Sequence, residues 1–226
     1  PAIVEELHRR GIHPALVLDE GGAVVEGAFP GVKEKTAVVG VCEKGQMDVE
    51  LSIKSKGGHT SAPPVKTPLA ALSKAVCRIE KHPFPAVLTP AARDMFDTLG
   101  RYSSFGMKII FANLWLFLPL LKKICTVSGG ELNALMCTTC CFTMAEGSQA
   151  LNAIPTKAKM CANLRLIRGN SMEYCTDYLK KIVGDEDIEV RCLQGNDASP
   201  YSPSEGPAWE IVRSAIGETW PEAVTA

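Results

Sequence analysis

Between Met47 and Cys192 the chain switches between two hydrophobic periods. Met47, Val49, Leu51 and Ile53 are apolar while Asp48, Glu50, Ser52 and Lys54 are polar. That strict period of two predicts a strand with one buried and one wet face. Leu69, Leu72, Val76 and Ile79 then recur at helical spacing. Their helix starts on Pro68, with Thr67 as N-cap, and ends at His82-Pro83-Phe84-Pro85. Residues 138–145 alternate again, with Cys140, Phe142 and Met144 on one side. On the next strand Ala158, Met160, Ala162, Leu164 and Leu166 face one way, and Lys157, Lys159, Cys161, Asn163 and Arg165 the other. Gly169-Asn170-Ser171 caps a helix whose apolar face is Met172, Cys175, Leu179 and Ile182. Ile188, Val190 and Cys192 make a last alternating strand.

The order strand, helix, strand, strand, helix, strand predicts an α+β fold. It is the ferredoxin-like βαββαβ plan, a four-stranded antiparallel sheet with two helices on one face. The unit spans residues 46–194, with a helical insertion over about residues 86–136. Inside the insertion, residues 109–121 are apolar apart from Asn113 and Pro119, and Lys108, Lys122 and Lys123 flank them. The run is shorter than the roughly 20 residues that span a bilayer. It has no clear polar face, so a buried or lid-covering helix is preferred to an interfacial membrane helix. In the flanks, Ile3, Val4 and Leu7 predict a helix stopped by Gly11, and the runs 15–18 and 38–41 read as buried strands. Residues 209–216 read as a further helix. Residues 1–45 and 195–226 are therefore expected to be parts of a separate α/β domain that holds the ferredoxin-like unit as an insertion.

Composition narrows the function. Of 226 residues, 46% are hydrophobic, enough for a packed core. A net charge of −1 argues against a nucleic-acid binder. Nine cysteines, an odd number without disulfide spacing, and no visible leader favour a reducing, cytoplasmic compartment. The opening at Pro1, within a helical pattern, leads to the expectation of a segment of a longer protein.

Candidate chemistry gathers at Gly57-Gly58-His59-Thr60-Ser61-Ala62-Pro63-Pro64. Two glycines free the backbone, two prolines stiffen the exit, and the imidazole between them donates or titrates near neutral pH. Taken alone, the stretch is more readily a loop with a surface histidine. Asp19 follows the run 15–18, at the strand end where open α/β sheets bind ligands, or else in a polar turn. Arg165 lies on the polar side of its strand, where a solvated sheet-face charge is the plainer reading. Glu5 and Glu6, with Arg9 and Arg10 one turn on, read as a helical ion-pair face. Cys137 and Cys140 have Cys-x-x-Cys spacing but no second pair to complete a metal site.

In order along the chain, Leu18-Asp19-Glu20-Gly21-Gly22, Glu43-Lys44-Gly45, Gly57-Gly58-His59-Thr60-Ser61, Leu151-Asn152-Ala153-Ile154-Pro155 and Asn163-Leu164-Arg165-Leu166 resemble the di-zinc metallopeptidases related to aminoacylase. The carboxypeptidase PS and N-acyl-amino-acid hydrolase branch is the most similar, and the apolar insertion resembles that branch too. The resemblance implies a catalytic α/β domain with two zinc ions per subunit and a ferredoxin-like lid that forms a homodimer. It implies Asp19 as a zinc ligand. It implies that His59 reaches into the partner's active site to stabilise an oxyanion, and that Asn152 and Arg165 hold the substrate's carbonyl and carboxylate. The implied reaction is cleavage of the amide bond of a peptide or N-acyl amino acid with a free carboxylate.

The family's His-x-Asp segment, bridging aspartate, Glu-Glu pair and last histidine have no counterpart here. His8, His13, His59 and His82 form no ligand cluster in the sequence. The expectation is therefore that zinc belongs to the complete enzyme and is not retained by this segment, which supplies the lid and its histidine. The alternative is a non-catalytic dimerisation module.

Overall fold

The structure, a computed structural model, describes residues 2–27, 29 and 31–226. Its first elements are α1 (Ala2–Arg9), β1 (Ala23–Val25), β2 (Thr36–Val38), β3 (Gly45–Lys54), β4 (Gly58–His59) and α2 (Pro68–Lys81). The helical insertion comes next, as α3 (Pro90–Tyr102), α4 (Phe105–Ala112), α5 (Leu114–Ser128) and α6 (Gly130–Met136). Then come β5 (Thr139–Glu146), β6 (Ala153–Ile154), β7 (Lys157–Leu166), α7 (Met172–Val183), β8 (Ile188–Asn196), α8 (Pro207–Thr219) and β9 (Val224–Thr225). The chain forms two compact units, residues 1–41, 94–114 and 201–226 in one, residues 42–93 and 115–200 in the other.

The second unit is built on a four-stranded antiparallel sheet in the order β5–β7–β3–β8. With α2 and α7 packed together against it, this is the ferredoxin-like arrangement that the alternation predicts. Met47, Val49 and Leu51 from β3 and Leu164 and Leu166 from β7 are fully buried, with Leu72 and Leu179 from the two helices. Burying each such side chain stabilises the fold by about 1.5–3 kcal/mol. The face that α2 buries is Pro68, Ala71, Leu72, Ala75 and Ile79, not the predicted stripe through Leu69 and Val76. Small alanines let the helix lie close to the sheet, and Leu69 turns outward, 41% exposed. On α7, the Ser171 hydroxyl accepts the Tyr174 N–H at 3.1 Å, and Gly184 ends the helix in the left-handed region at φ 53°.

Met144 departs from the pattern. A register shift between Phe142 and Met144 turns the strand over, so Cys140 and Phe142 pack on the core while Met144 is 68% exposed. One extra residue in a strand reverses every later side chain. On the outer face of the sheet Glu50 is buried between two cations, Arg191 at 3.3 Å and Lys157 at 3.8 Å. Beside it, the Asn163 and Gln194 amides each donate to Asp48 at 2.7 Å and hold its carboxyl below the usual range.

Lys44, just ahead of β3, ties the insertion down. Its Nζ donates to the carbonyls of Ala134 and Cys137, both at 2.8 Å. A cation at the end of α6 meets the unpaired carbonyls there, and burial holds this ammonium below the ordinary lysine range.

In the first unit, β2 pairs antiparallel with β1 and parallel with β9. The predicted strand at 38–41 lies earlier, at Thr36–Val38. No strand forms at 15–18, where Val17 is 76% and Leu18 72% exposed. A buried strand needs a neighbour to take its backbone hydrogen bonds, and no described strand pairs with this run. Met95, Phe96 and Leu99 on α3 are buried, and the Phe111 ring stacks on Phe96 at 5.4 Å between centroids. Gly100 permits that approach, since a β-carbon there would meet the Phe111 Cβ at 2.8 Å.

The apolar run 109–121 is not one helix. It breaks at Asn113, which leaves helical geometry and donates from Nδ2 to the Ile109 carbonyl at 2.9 Å. Nor is it buried throughout, because Trp115, Leu116 and Leu120 are exposed. Among the described residues, no single helix is long and apolar enough to cross a membrane.

Candidate active site

Two motifs more than ninety positions apart meet in a short ribbon. Strand β4 pairs antiparallel with β6, placing Gly58 opposite Ile154 and His59 opposite Ala153. The Thr60 N–H donates to the Asn152 carbonyl at 3.1 Å. Below the ribbon, Ser55 Oγ donates to the Pro155 carbonyl at 2.7 Å and accepts the Gly57 N–H at 2.9 Å. Gly57 sits at φ 68° and Gly58 at φ 140°, conformations that side chains disfavour. A β-carbon on Gly57 would also meet the Thr156 methyl at 2.9 Å. The double glycine is thus what lets the chain turn out of β3 and present His59.

The imidazole of His59 is exposed, and its neighbours set its tautomer. The Ser61 backbone N–H points at Nδ1 at 3.2 Å, and the Ser61 hydroxyl lies 2.8 Å from the same atom. An amide N–H only donates, so Nδ1 is the acceptor and the neutral ring carries its proton on Nε2. The ring therefore offers an outward N–H donor. Sequence reasoning singled out His59 but not Ser61. A hydroxyl two residues after an imidazole was the available signal.

Arg165 lies elsewhere on the unit. It is the last residue but one of β7, exposed, and its Nη1 donates to Gln46 Oε1 at 3.2 Å. Gln46 is directly opposite it on β3, a pairing the sequence alone did not reveal. Since β7 has ten residues, it spans about 30 Å. His59 and Asn152 stand where β7 begins, and Arg165 stands where it ends, at the entry of β3 and the exit of β8. The structure thus joins His59 with Asn152 and separates both from Arg165.

Asp19 is exposed in the first unit, in a segment without strand or helix, and its Oδ1 accepts the Glu20 N–H at 2.8 Å. Among the described residues, no group of three or more His, Cys, Asp or Glu side chains could hold a metal ion. The donors present do not by themselves make a zinc site. The Cys-x-x-Cys pair is no better suited. Cys137 is buried at the end of α6, and Cys140 faces the core, where burial pushes its thiol up to about 12. A protonated, inward-facing thiol is a poor ligand and a poor nucleophile. As expected, Glu6 pairs along α1 with Arg9 and Arg10, both at 2.6 Å.

Residues 41–191 match the peptidase dimerisation domain of the M20 peptidases, and the chain belongs to that family. Among curated relatives, it is 35% identical to N-fatty-acyl-amino acid synthase/hydrolase PM20D1 of Xenopus tropicalis, over 90% of this chain and 40% of that protein. It is 31% identical to the human protein of the same name, over 96% of this chain and 43% of that protein. Identity is 30% to the probable carboxypeptidase S-like 2 of Dictyostelium discoideum, over 93% of this chain and 40% of that protein. The chain thus spans about two fifths of the length of these relatives. In fold it is similar to an M20 family metallo-carboxypeptidase, Sso-CP2 of Sulfolobus solfataricus, with a TM-score of 0.52, 18% identity, and cover of 82% of this chain and 51% of that one. Human carnosine dipeptidase 1 gives a TM-score of 0.51 at 11% identity, with cover of 82% and 44%.

Proposed function

We propose that this chain is the dimerisation lid, with flanking catalytic-domain segments, of a zinc-dependent hydrolase of N-acyl amino acids or peptides with a free carboxylate. The relatives' activities support that substrate class. The observation that carries the reading is the separation of His59 and Asn152 from Arg165. The scissile carbonyl and the carboxylate of such a substrate lie within about one residue's length, ~3.8 Å. A strand of about 30 Å cannot present both ends to one such molecule. Two copies can: Arg165 acts in its own subunit's site, and His59 of the partner subunit enters that site with Asn152 of the partner subunit. A homodimer then becomes a condition of catalysis.

In this arrangement the Nε2–H of His59 donates to the oxygen that gains negative charge as the amide carbonyl becomes tetrahedral. The Asn152 amide donates to the same carbonyl region. The guanidinium of Arg165, one of whose five N–H groups is taken by Gln46, has a fork left for the substrate carboxylate. Asp19 is proposed as one zinc ligand of the complete enzyme, where the metal would polarise the carbonyl and supply activated water.

Mixed dimers test the exchange. In the full-length enzyme, His59→Ala and Arg165→Ala are each expected to be nearly inactive. Refolded together in equal amounts, they should recover about one quarter of wild-type activity, because half the dimers would carry one intact site. No recovery would place both residues in one subunit's site and end the proposal. Ser61→Ala keeps the backbone N–H to Nδ1 but loses the hydroxyl. One neutral hydrogen bond is worth about 0.5–1.5 kcal/mol, so kcat should fall roughly three- to tenfold with KM little changed.

A further inference from the structure

Helix α5 carries an apolar surface that the hydrolase reading does not use. Leu116, Leu120 and Ile124 succeed one another at four-residue intervals, and Val127 closes the stripe. They are 56%, 50%, 49% and 79% exposed. On the opposite side of the helix Cys125 is 1% exposed and Leu118 and Leu121 are half-buried. The helix is therefore seated on the second unit by one apolar face and presents another to solvent. An amphipathic helix that lies free on a membrane needs a polar face of its own. A helix anchored in protein does not, because the protein takes that side.

Charge says what the outer face suits. Lys122 and Lys123 stand in the same helix, Lys123 within the stripe itself. The helix itself contains no aspartate or glutamate. A symmetric contact between two copies through this stripe would bring one Lys123 toward another. An anionic surface would instead receive Lys123 at headgroup level while the aliphatic side chains enter the acyl boundary. We propose that the outer face of α5 is a docking surface for anionic phospholipid. The lipid contact is independent of the catalytic roles proposed above.

Vesicle flotation of the 226-residue chain tests it. The chain should float with phosphatidylcholine–phosphatidylserine vesicles, and much less with phosphatidylcholine alone or at high salt. Leu120→Gln/Ile124→Gln should abolish flotation while leaving the thermal midpoint unchanged, since both side chains are already half exposed. Lys123→Gln should weaken binding to the anionic vesicles by about fivefold and flatten its salt dependence. Failure to float with anionic vesicles overturns the proposal. In that case, light scattering that shows self-association lost in Leu120→Gln/Ile124→Gln would assign the stripe to a second copy. Unchanged association would mean that the stripe docks neither lipid nor a second copy.

Discussion

His59→Ala in the full-length enzyme should lower kcat by about 10²–10³-fold and leave KM within a few-fold of wild type. That is the loss expected when one preorganised donor to an oxyanion is removed. The split between the two constants is the informative part. A donor aimed at charge that develops only in the transition state contributes little to ground-state binding, so its loss falls on turnover. The local geometry favours this outcome. Ser61 holds Nδ1 from behind at 3.2 Å and 2.8 Å, and the ring is held on a ribbon pinned to Asn152. If KM rose a hundredfold with kcat unchanged, His59 would be a substrate-binding group and the oxyanion role would be wrong. His59→Gln, which keeps an N–H donor at similar reach, should recover part of the lost turnover. A purely electrostatic role for an imidazolium would allow no such recovery.

How much of the fold and site was legible in the sequence depended on whether the deciding neighbour was local. Strands β3 and β7 were legible because their alternation is strict and their buried faces are made of Met, Val, Leu, Ile and Ala. The cap at Ser171 was legible because a helix start is decided within four residues. Met144 was not, since a one-residue slip against β7 has no marker in the sequence of β5 itself. The run 15–18 looks like a buried strand by composition, but composition does not supply a pairing partner. Among the site residues, motif order suggested that His59, Asn152 and Arg165 serve one reaction. The resemblance already implied His59 in the partner's site, but only the register shows that Asn152 stands with His59 at the start of β7 and Arg165 at its end, because distance along a strand counts residues after pairing is known. Residues 109–121 misled in the other direction. They are apolar all round, which reads as burial, yet the chain breaks at Asn113 and buries only one side of α5.

Gly195→Ala should destabilise the second unit by about 2–3 kcal/mol, the upper part of the range for forcing one extra carbon into a packed site. A β-carbon at residue 195 would lie 2.5 Å from the Gln46 carbonyl oxygen, 2.8 Å from Met172 Sδ and 3.0 Å from Met47 Cα. The sulfur can move, but the two backbone atoms belong to the central strand and cannot move without opening the β3–β8 pair. Gly184→Ala is the control. Its φ is 53° but nothing lies closer than 3.7 Å, so it should cost only the left-handed penalty, about 1 kcal/mol. Denaturation midpoints of the two variants separate steric crowding from backbone preference, and equal losses would refute the crowding argument. The damage at residue 195 should also reach function. Opening the start of β3 displaces Gln46, whose amide oxygen accepts from Arg165. The surviving folded enzyme is therefore expected to show a raised KM for carboxylate substrates with kcat largely kept, the converse of the His59→Ala split. One end of the sheet would then govern how the substrate is held and the other how fast it reacts, the outcome that the proposed crosswise sharing of two sites calls for.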